Sequence, residues 1–146
     1  ADEVRADKKK FENLLSRKSL GLLFQKPSNR TRVSFEVGMT QLGGHSIYLG
    51  PDDIKLGERE AVKDVARVLS KYLDCIVART YSHNDIVELS EFSSIPVING
   101  LSDLMHPCQA LSDIYTIRDK NPAFVVFGQI AVAPEIVPPT DCAFVL

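Results

Sequence analysis

The chain has 146 residues, of which 45% are hydrophobic and 25% charged, and carries a net charge of −2. That length suits one domain whose core needs no staple, and the weak negative charge excludes a general nucleic-acid or membrane-surface binder, so any basic site must be local. The three cysteines, Cys75, Cys108 and Cys142, are odd in number and contain no CxxC pair, which argues against a disulfide framework or zinc site and favours a reducing compartment. No apolar run of about 18 residues is present, so no membrane span is expected. No secretory signal is visible either, although the chain begins at Ala1 and not at Met, which gives that observation little weight.

The first ten residues are charged and suit the end of a helix or a frayed terminus. Ser19–Phe24, SLGLLF, is a short apolar run expected to form a buried strand. After the polar segment QKPSNRTR, two sets of apolar residues (Val33 and Val37; Phe35, Met39 and Leu42) fall at helical spacings, and Gly43-Gly44 closes that helix. His45–Leu49 is a second strand, and residues 50–57 form a loop. Residues 58–73 give the clearest helix, with Val62, Val65, Leu69 and Leu73 on one face. Residues 75–78 form a third strand. Ser82 caps a helix over about residues 83–93, with Asp85 in its first turn, and residues 95–98 form a fourth strand. A last helix begins at Pro107 and carries Ala110, Ile114 and Ile117.

Strands thus alternate with helices, the pattern of an α/β domain with a mainly parallel sheet flanked by helices. Sites in such sheets lie at the carboxyl ends of strands. Residues 1–120 make up this single domain. Residues 121–146 are an atypical tail. Residues 124–132 within it are apolar enough for one more strand, and the remainder is proline-rich without a clear period.

Lys26, Arg30 and Arg32 crowd one short segment, with Ser28, Asn29 and Thr31 between them and no acid before Glu36. A helix begins there, so its free N–H groups and positive dipole end face the same region. Strand, polar loop and helix N-terminus together suit a phosphate dianion, and the planar fork of arginine can donate two parallel hydrogen bonds to it. The alternative is a set of solvated surface arginines beside a capping serine. Arg79 follows the third strand, and His106 and Gln109 stand in HPCQ after the fourth. All three are polar groups at strand ends. Cys108, inside HPCQ, has no evident base and suits a small residue in a first helical turn. His45 and His83 suit loop or helix-start positions. No set of His, Cys, Asp or Glu has ligand spacing, so no metal is expected.

The run SNRTRVSFE resembles the Ser-Thr-Arg-Thr-Arg signature of the aspartate and ornithine carbamoyltransferases, with Asn29 where that family usually has Thr. HPxQ at this distance from SxRTR is specific to the same family, and GEREAVKDVARVL and VINGLSDLMHPCQAL resemble its ornithine branch. The resemblance runs from about Leu20 to Ile117.

It implies a carbamoyl-phosphate-binding domain. Its reaction would be transfer of a carbamoyl group from carbamoyl phosphate to ornithine, giving citrulline and phosphate without a cofactor. Thr31, Arg79 and His106 would donate to the carbonyl oxygen, in the manner of an oxyanion hole. Gln109 would hold the carbamoyl nitrogen. Ser28, Asn29, Arg30, Thr31 and Arg79 would hold the phosphate, and Arg32 would steady the loop. The family's Asp, Ser-Met-Gly and Cys-Leu-Pro motifs for ornithine are not in this sequence. The ornithine domain is therefore expected to be missing, and the chain by itself to be inactive. Family members are trimers in which a loop reaches the neighbouring site. Here residues 50–57, with Lys55, would be that loop, and the alternative is a solvated lysine. The expected compartment is the cytoplasm, or an organelle matrix if a transit segment preceded this sequence. Rival readings are another carbamoyltransferase, acting on aspartate, putrescine or a modified ornithine, and a non-catalytic anion-binding or assembly module.

Overall fold

The computed structural model describes residues 2–120. The expected strand at 124–132 lies outside them. Two short helices, α1 (Asp2–Ala6) and α2 (Lys8–Phe11), lead into β1 (Ser19–Phe24), α3 (Arg30–Gln41), β2 (His45–Leu49), α4 (Pro51–Ile54) and α5 (Val62–Leu69). There follow β3 (Cys75–Arg79), α6 (His83–Phe92), β4 (Val97–Leu101) and α7 (Pro107–Lys120). The four strands form one sheet in the order β2-β1-β3-β4, with every pairing parallel.

The order explains the continuous apolar run of β1. The chain steps outward from β1 to β2, then returns past β1 to β3 and on to β4. Right-handed crossovers running in opposite directions put their helices on opposite faces, so β1 and β3 are covered on both sides. Side chains alternate between those faces. Leu23, Ile76 and Ala78 pack with Val62, Val65 and Ala66 of α5 and Ile86 and Leu89 of α6. Leu20, Leu22, Phe24 and Val77 pack on the other side with Met39 of α3. Leu22, Leu23 and Phe24 are fully buried, each worth about 1.5–3 kcal/mol relative to exposure. At the amino ends, the Asp74 carboxylate accepts from Ser19 N at 2.8 Å and from Lys18 Nζ at 2.8 Å, tying the entries of β1 and β3 together.

Several sequence expectations shift. The loop at 50–57 contains α4, because Pro51 stands at its first position and Asp53 accepts from Gly50 N at 2.7 Å. The helix expected over 58–73 is only α5. Its start is held back by a turn in which Gly57 N donates to Glu60 O at 3.1 Å with Gly57 at φ +79°, a conformation no helix can include. Its end tightens into turns from which Leu73 still reaches the core. The fourth strand begins and ends later than 95–98. Pro96 has no N–H to offer a ladder, while Gly100, close against Val77 and the Ala78 carbonyl, lets β4 follow β3 to Leu101. Of the two apolar sets on α3, only Phe35, Met39 and Leu42 face inward; Val33 and Val37 are exposed.

Candidate functional site

The reversal of direction lies between β1 and β3, and the connections leaving their carboxyl ends diverge to opposite faces. A cleft opens there, as at such switch points generally. Its volume is about 770 Å³. The loop after β1 and the start of α3 supply Pro27, Ser28, Asn29, Arg30, Thr31, Ser34 and Phe35 to its wall. Arg79 comes from the end of β3, and His106, Cys108, Gln109 and Ser112 come from the far side. The structure therefore brings together Ser28, Asn29, Arg30, Thr31, Arg79, His106 and Gln109, seven residues from three stretches of sequence. Among the described residues, no carboxylate lines this wall. Among the described residues, no acid pairs with Arg30 or Arg79 within ion-pair distance.

The start of α3 faces the same space. Asn29 occupies its cap position but makes no side-chain capping bond, and the first intrahelical bond is Val33 N to Asn29 O at 3.0 Å. The preceding N–H groups have no helical partner. Arg30, Thr31 and Arg32 thus begin a 12-residue helix whose positive dipole end opens on the cleft. Ser34 Oγ donates to Thr31 O at 2.9 Å and braces this first turn.

The other basic residues are placed elsewhere. Arg32 Nε is 3.0 Å from Glu36 Oε1, and its guanidinium stacks 3.7 Å from the centre of the Tyr48 ring, bracing α3 against β2. Lys26 sets its ammonium 4.6 Å from the Tyr81 ring centre. Lys55 sits in the left-handed region at φ +42°, exposed at the end of α4, and does not line the cleft.

Arg79 Nε and His106 Nδ1 are buried without a hydrogen-bond partner. Such groups carry an unmet polar cost, and both residues line the cleft. Desolvation first, then the charge of Arg79, holds the His106 pKa below its ordinary value, against a smaller upward pull from Asp113. At neutral pH His106 is therefore an uncharged imidazole. Gln109 Nε2 donates to Asp113 Oδ1 at 2.8 Å. Because a carboxylate only accepts, this bond fixes which end of the amide is nitrogen and leaves Oε1 as an acceptor for an N–H donor. Cys108 Sγ contacts the Asn99 carbonyl at 3.5 Å, and burial raises its pKa, which disfavours the thiolate a nucleophile needs.

One residue the sequence did not single out organises this edge. Gln25 N donates to Arg79 O at 2.8 Å, and Gln25 Oε1 accepts from Tyr81 N at 2.7 Å. Its Nε2 reaches Leu56 O at 3.2 Å and Asp85 Oδ2 at 3.1 Å. The backbone leaving Arg79 is thus clamped to the end of β1. No local pattern signals this, because its partners are 31 to 60 residues away. Among the described residues, no group of His, Cys, Asp and Glu could hold a metal, and no helix is long and apolar enough to cross a membrane.

Residues 1–119 match the family described as "Aspartate/ornithine carbamoyltransferase, carbamoyl-P binding domain". An ornithine carbamoyltransferase of Haloquadratum walsbyi is 58% identical over 106 residues, 73% of this chain and 35% of that protein. One from Pyrococcus horikoshii is 56% identical over 112 residues, 77% of this chain and 35% of that protein. Among solved structures, ornithine carbamoyltransferase from Pyrococcus furiosus is similar at a TM-score of 0.75 and 54% identity, covering 76% of this chain and 36% of that one. An acetylornithine transcarbamylase complexed with acetylcitrulline is similar at a TM-score of 0.70 and 30% identity, covering 82% of this chain and 41% of that one. The chain spans 35% of the length of these two curated relatives.

Followed by NMR, the His106 ring is expected to titrate below the ordinary histidine value, and Arg79→Gln to move it part of the way back up. The unfolded chain takes up this proton at a higher pH than the folded one. Stability attributable to His106 therefore falls as pH drops through the ordinary histidine pKa towards the lower folded value. A ring titrating at or above the ordinary value would contradict the desolvated placement.

Proposed function

This chain belongs to the aspartate/ornithine carbamoyltransferase family, and we propose that it contributes the carbamoyl-phosphate-binding half of an ornithine carbamoyltransferase. The observation that carries the reading is a cleft whose described lining residues include no acid. Two arginines without carboxylate partners and an open helix N-terminus meet a neutral imidazole there. Such a site holds a small anion at one end and a carbonyl group at the other.

In the proposed reaction the side-chain amine of ornithine attacks the carbonyl carbon of carbamoyl phosphate. The carbon–oxygen bond to phosphate breaks, phosphate leaves with the electron pair, and the attacking nitrogen loses a proton. Negative charge that builds on the carbonyl oxygen is met by Thr31, Arg79 and His106. Gln109 accepts from the carbamoyl NH₂ through Oε1, the end that its bond to Asp113 leaves available. Ser28, Asn29, Arg30, Thr31 and Arg79 hold the phosphate and stabilise it as it departs. The chemistry needs no covalent intermediate, metal or organic cofactor.

In this reading residues 1–120 carry this half, and residues 121–146 are an atypical tail. Ornithine would be gripped by a second domain. The product places the reaction in arginine biosynthesis or urea-type metabolism. The cysteine usage supports the cytoplasm or an organelle matrix. Ornithine as acceptor rests on the ornithine-like wording of this domain and of its relatives, since an acetylornithine enzyme has a similar domain. Assembly as a homotrimer belongs to the same reading, with Lys55, exposed at the end of α4, reaching a neighbouring site.

Arg30→Ala is expected to weaken carbamoyl phosphate binding by about ten- to a hundredfold, the worth of a charge-assisted hydrogen bond of roughly 1.5–3 kcal/mol. Calorimetric titration of the folded variant checks this, and an unchanged affinity would remove the phosphate assignment.

A polypeptide of these 146 residues is expected to make no citrulline at a useful rate. Alignment of two substrates can supply roughly 7–11 kcal/mol of rate enhancement, and the cleft holds groups for one of them. Turnover of about 10 s⁻¹, typical of intact enzymes, would reveal an ornithine site within this chain.

Sedimentation velocity at high concentration is expected to show a trimer. A strict monomer would end any role for Lys55 across an interface.

A further inference from the structure

The turn that delivers His106 into the cleft is closed on a single hydroxyl. Ser102 is 5% exposed. Its Oγ lies 2.9 Å from His83 Nδ1, 3.4 Å from Asn99 Nδ2, and 3.3 and 3.4 Å from the N and O of Met105. Ser102 N also donates to Met105 O at 3.0 Å. Met105 immediately precedes His106, whose carbonyl accepts from Gln109 N at 3.1 Å and Ala110 N at 3.2 Å. The turn and the first turn of α7 are thus one connected unit.

Proton counting decides how the hydroxyl is used. It has one proton and two lone pairs. Met105 N–H and the Asn99 amide are donors and occupy both lone pairs. The hydroxyl proton has two acceptors within reach, His83 Nδ1 at 2.9 Å and Met105 O at 3.4 Å, and the shorter contact favours His83 Nδ1. With Nδ1 accepting, a neutral His83 carries its own proton on Nε2. His83 is itself fixed at the start of α6, where its N–H donates to Asp103 Oδ1 at 2.7 Å. The helix thus grips the turn at two points. His83 Nε2 and Asn99 Oδ1 are buried without partners, a cost that apolar side chains chosen for packing alone would avoid. Neither His83 nor Ser102 lines the cleft.

We propose that His83 and Ser102 are a positioning pair for the carbamoyl end of the ligand. Through the Ser102 hydroxyl, His83 sets the turn that presents His106 and Gln109, and so sets the preference for carbamoyl phosphate over bare phosphate. This rests on the function proposed above. It separates the two ends of the site, because the phosphate end is built from residues 28–31 and Arg79 on other elements.

The test is calorimetric titration of the full chain and its variants with carbamoyl phosphate and, separately, with inorganic phosphate. His83→Leu and Ser102→Ala are each expected to lower the carbamoyl phosphate to phosphate affinity ratio about tenfold, one hydrogen bond's worth, with phosphate affinity unchanged. His83→Asn, whose Oδ1 can take the place of Nδ1 as acceptor, is expected to restore the ratio. An unchanged ratio, an equal fall for both anions, or no rescue by asparagine overturns the pair while leaving the cleft assignment intact. A wild-type chain that binds neither anion, or does not prefer carbamoyl phosphate, overturns the cleft assignment and the pair with it. Nitrogen NMR of wild-type His83 is an independent check that needs no variant: a neutral ring with its proton on Nδ1 overturns the proposal.

Discussion

The connection from β2 to β3 has to pass β1, because β1 is already paired with β2 when the chain turns back. From that constraint the two faces of the sheet receive different helices, α3 on one and α5 with α6 on the other. β1 and β3 become interior strands and their side chains apolar on both faces. Their carboxyl ends are left as neighbours whose outgoing loops part company. The cleft is the space between those loops, so its position follows from strand order and not from any one side chain.

What fills that space is governed by charge. A guanidinium without a carboxylate partner normally sits in open water. Here Arg30 and Arg79 share a wall with no acid among its described residues, beside the free N–H groups of α3. The neighbouring cations are taken up by structure, Arg32 by Glu36 and the Tyr48 ring, Lys26 by the Tyr81 ring. The cluster of basic residues visible in the sequence is therefore divided in space: one part faces the cleft and the other holds the surrounding elements. Arg79 in turn depresses the His106 pKa together with burial. A neutral imidazole in a cationic cleft can donate a hydrogen bond without adding a further positive charge.

The second requirement is that groups from distant loops keep their places. Gln25 clamps the backbone leaving Arg79 to the end of β1, and Ser102 closes the turn before His106. Both act through hydrogen bonds to backbone atoms, most of them partly shielded from water. Such bonds fix a loop more firmly than exposed ion pairs do, because water competes less for the same groups. The exposed pairs joining α1 to α7, Arg5 with Asp119 and Asp2 with Arg118, hold the outside of the molecule and touch none of the cleft residues.

Local pattern carried a large part of this protein. The apolar run of β1, the Gly43-Gly44 stop after α3 and the Ser82 cap of α6 were all legible in the sequence, because a strand period, a left-handed glycine and a capping side chain are properties of neighbouring residues. The grouping SNRTR and the HPCQ motif were legible for the same reason, and so was the strand-end position of Arg79. The start of α5 was not, since the charged residues 58–60 are as compatible with a first helical turn as with the turn that Gly57 makes with Glu60. Nor was the extent of β4, which depends on Gly100 lying against Val77 and Ala78. Gln25, His83 and Ser102 gave no signal, because each acts through partners that only folding brings within reach. Sequence by itself determined which elements form and which chemical groups are available. Tertiary structure decided which of those groups meet, which cations remain without a partner, and which hydroxyl holds the loop, because those outcomes depend on distances between residues far apart along the chain.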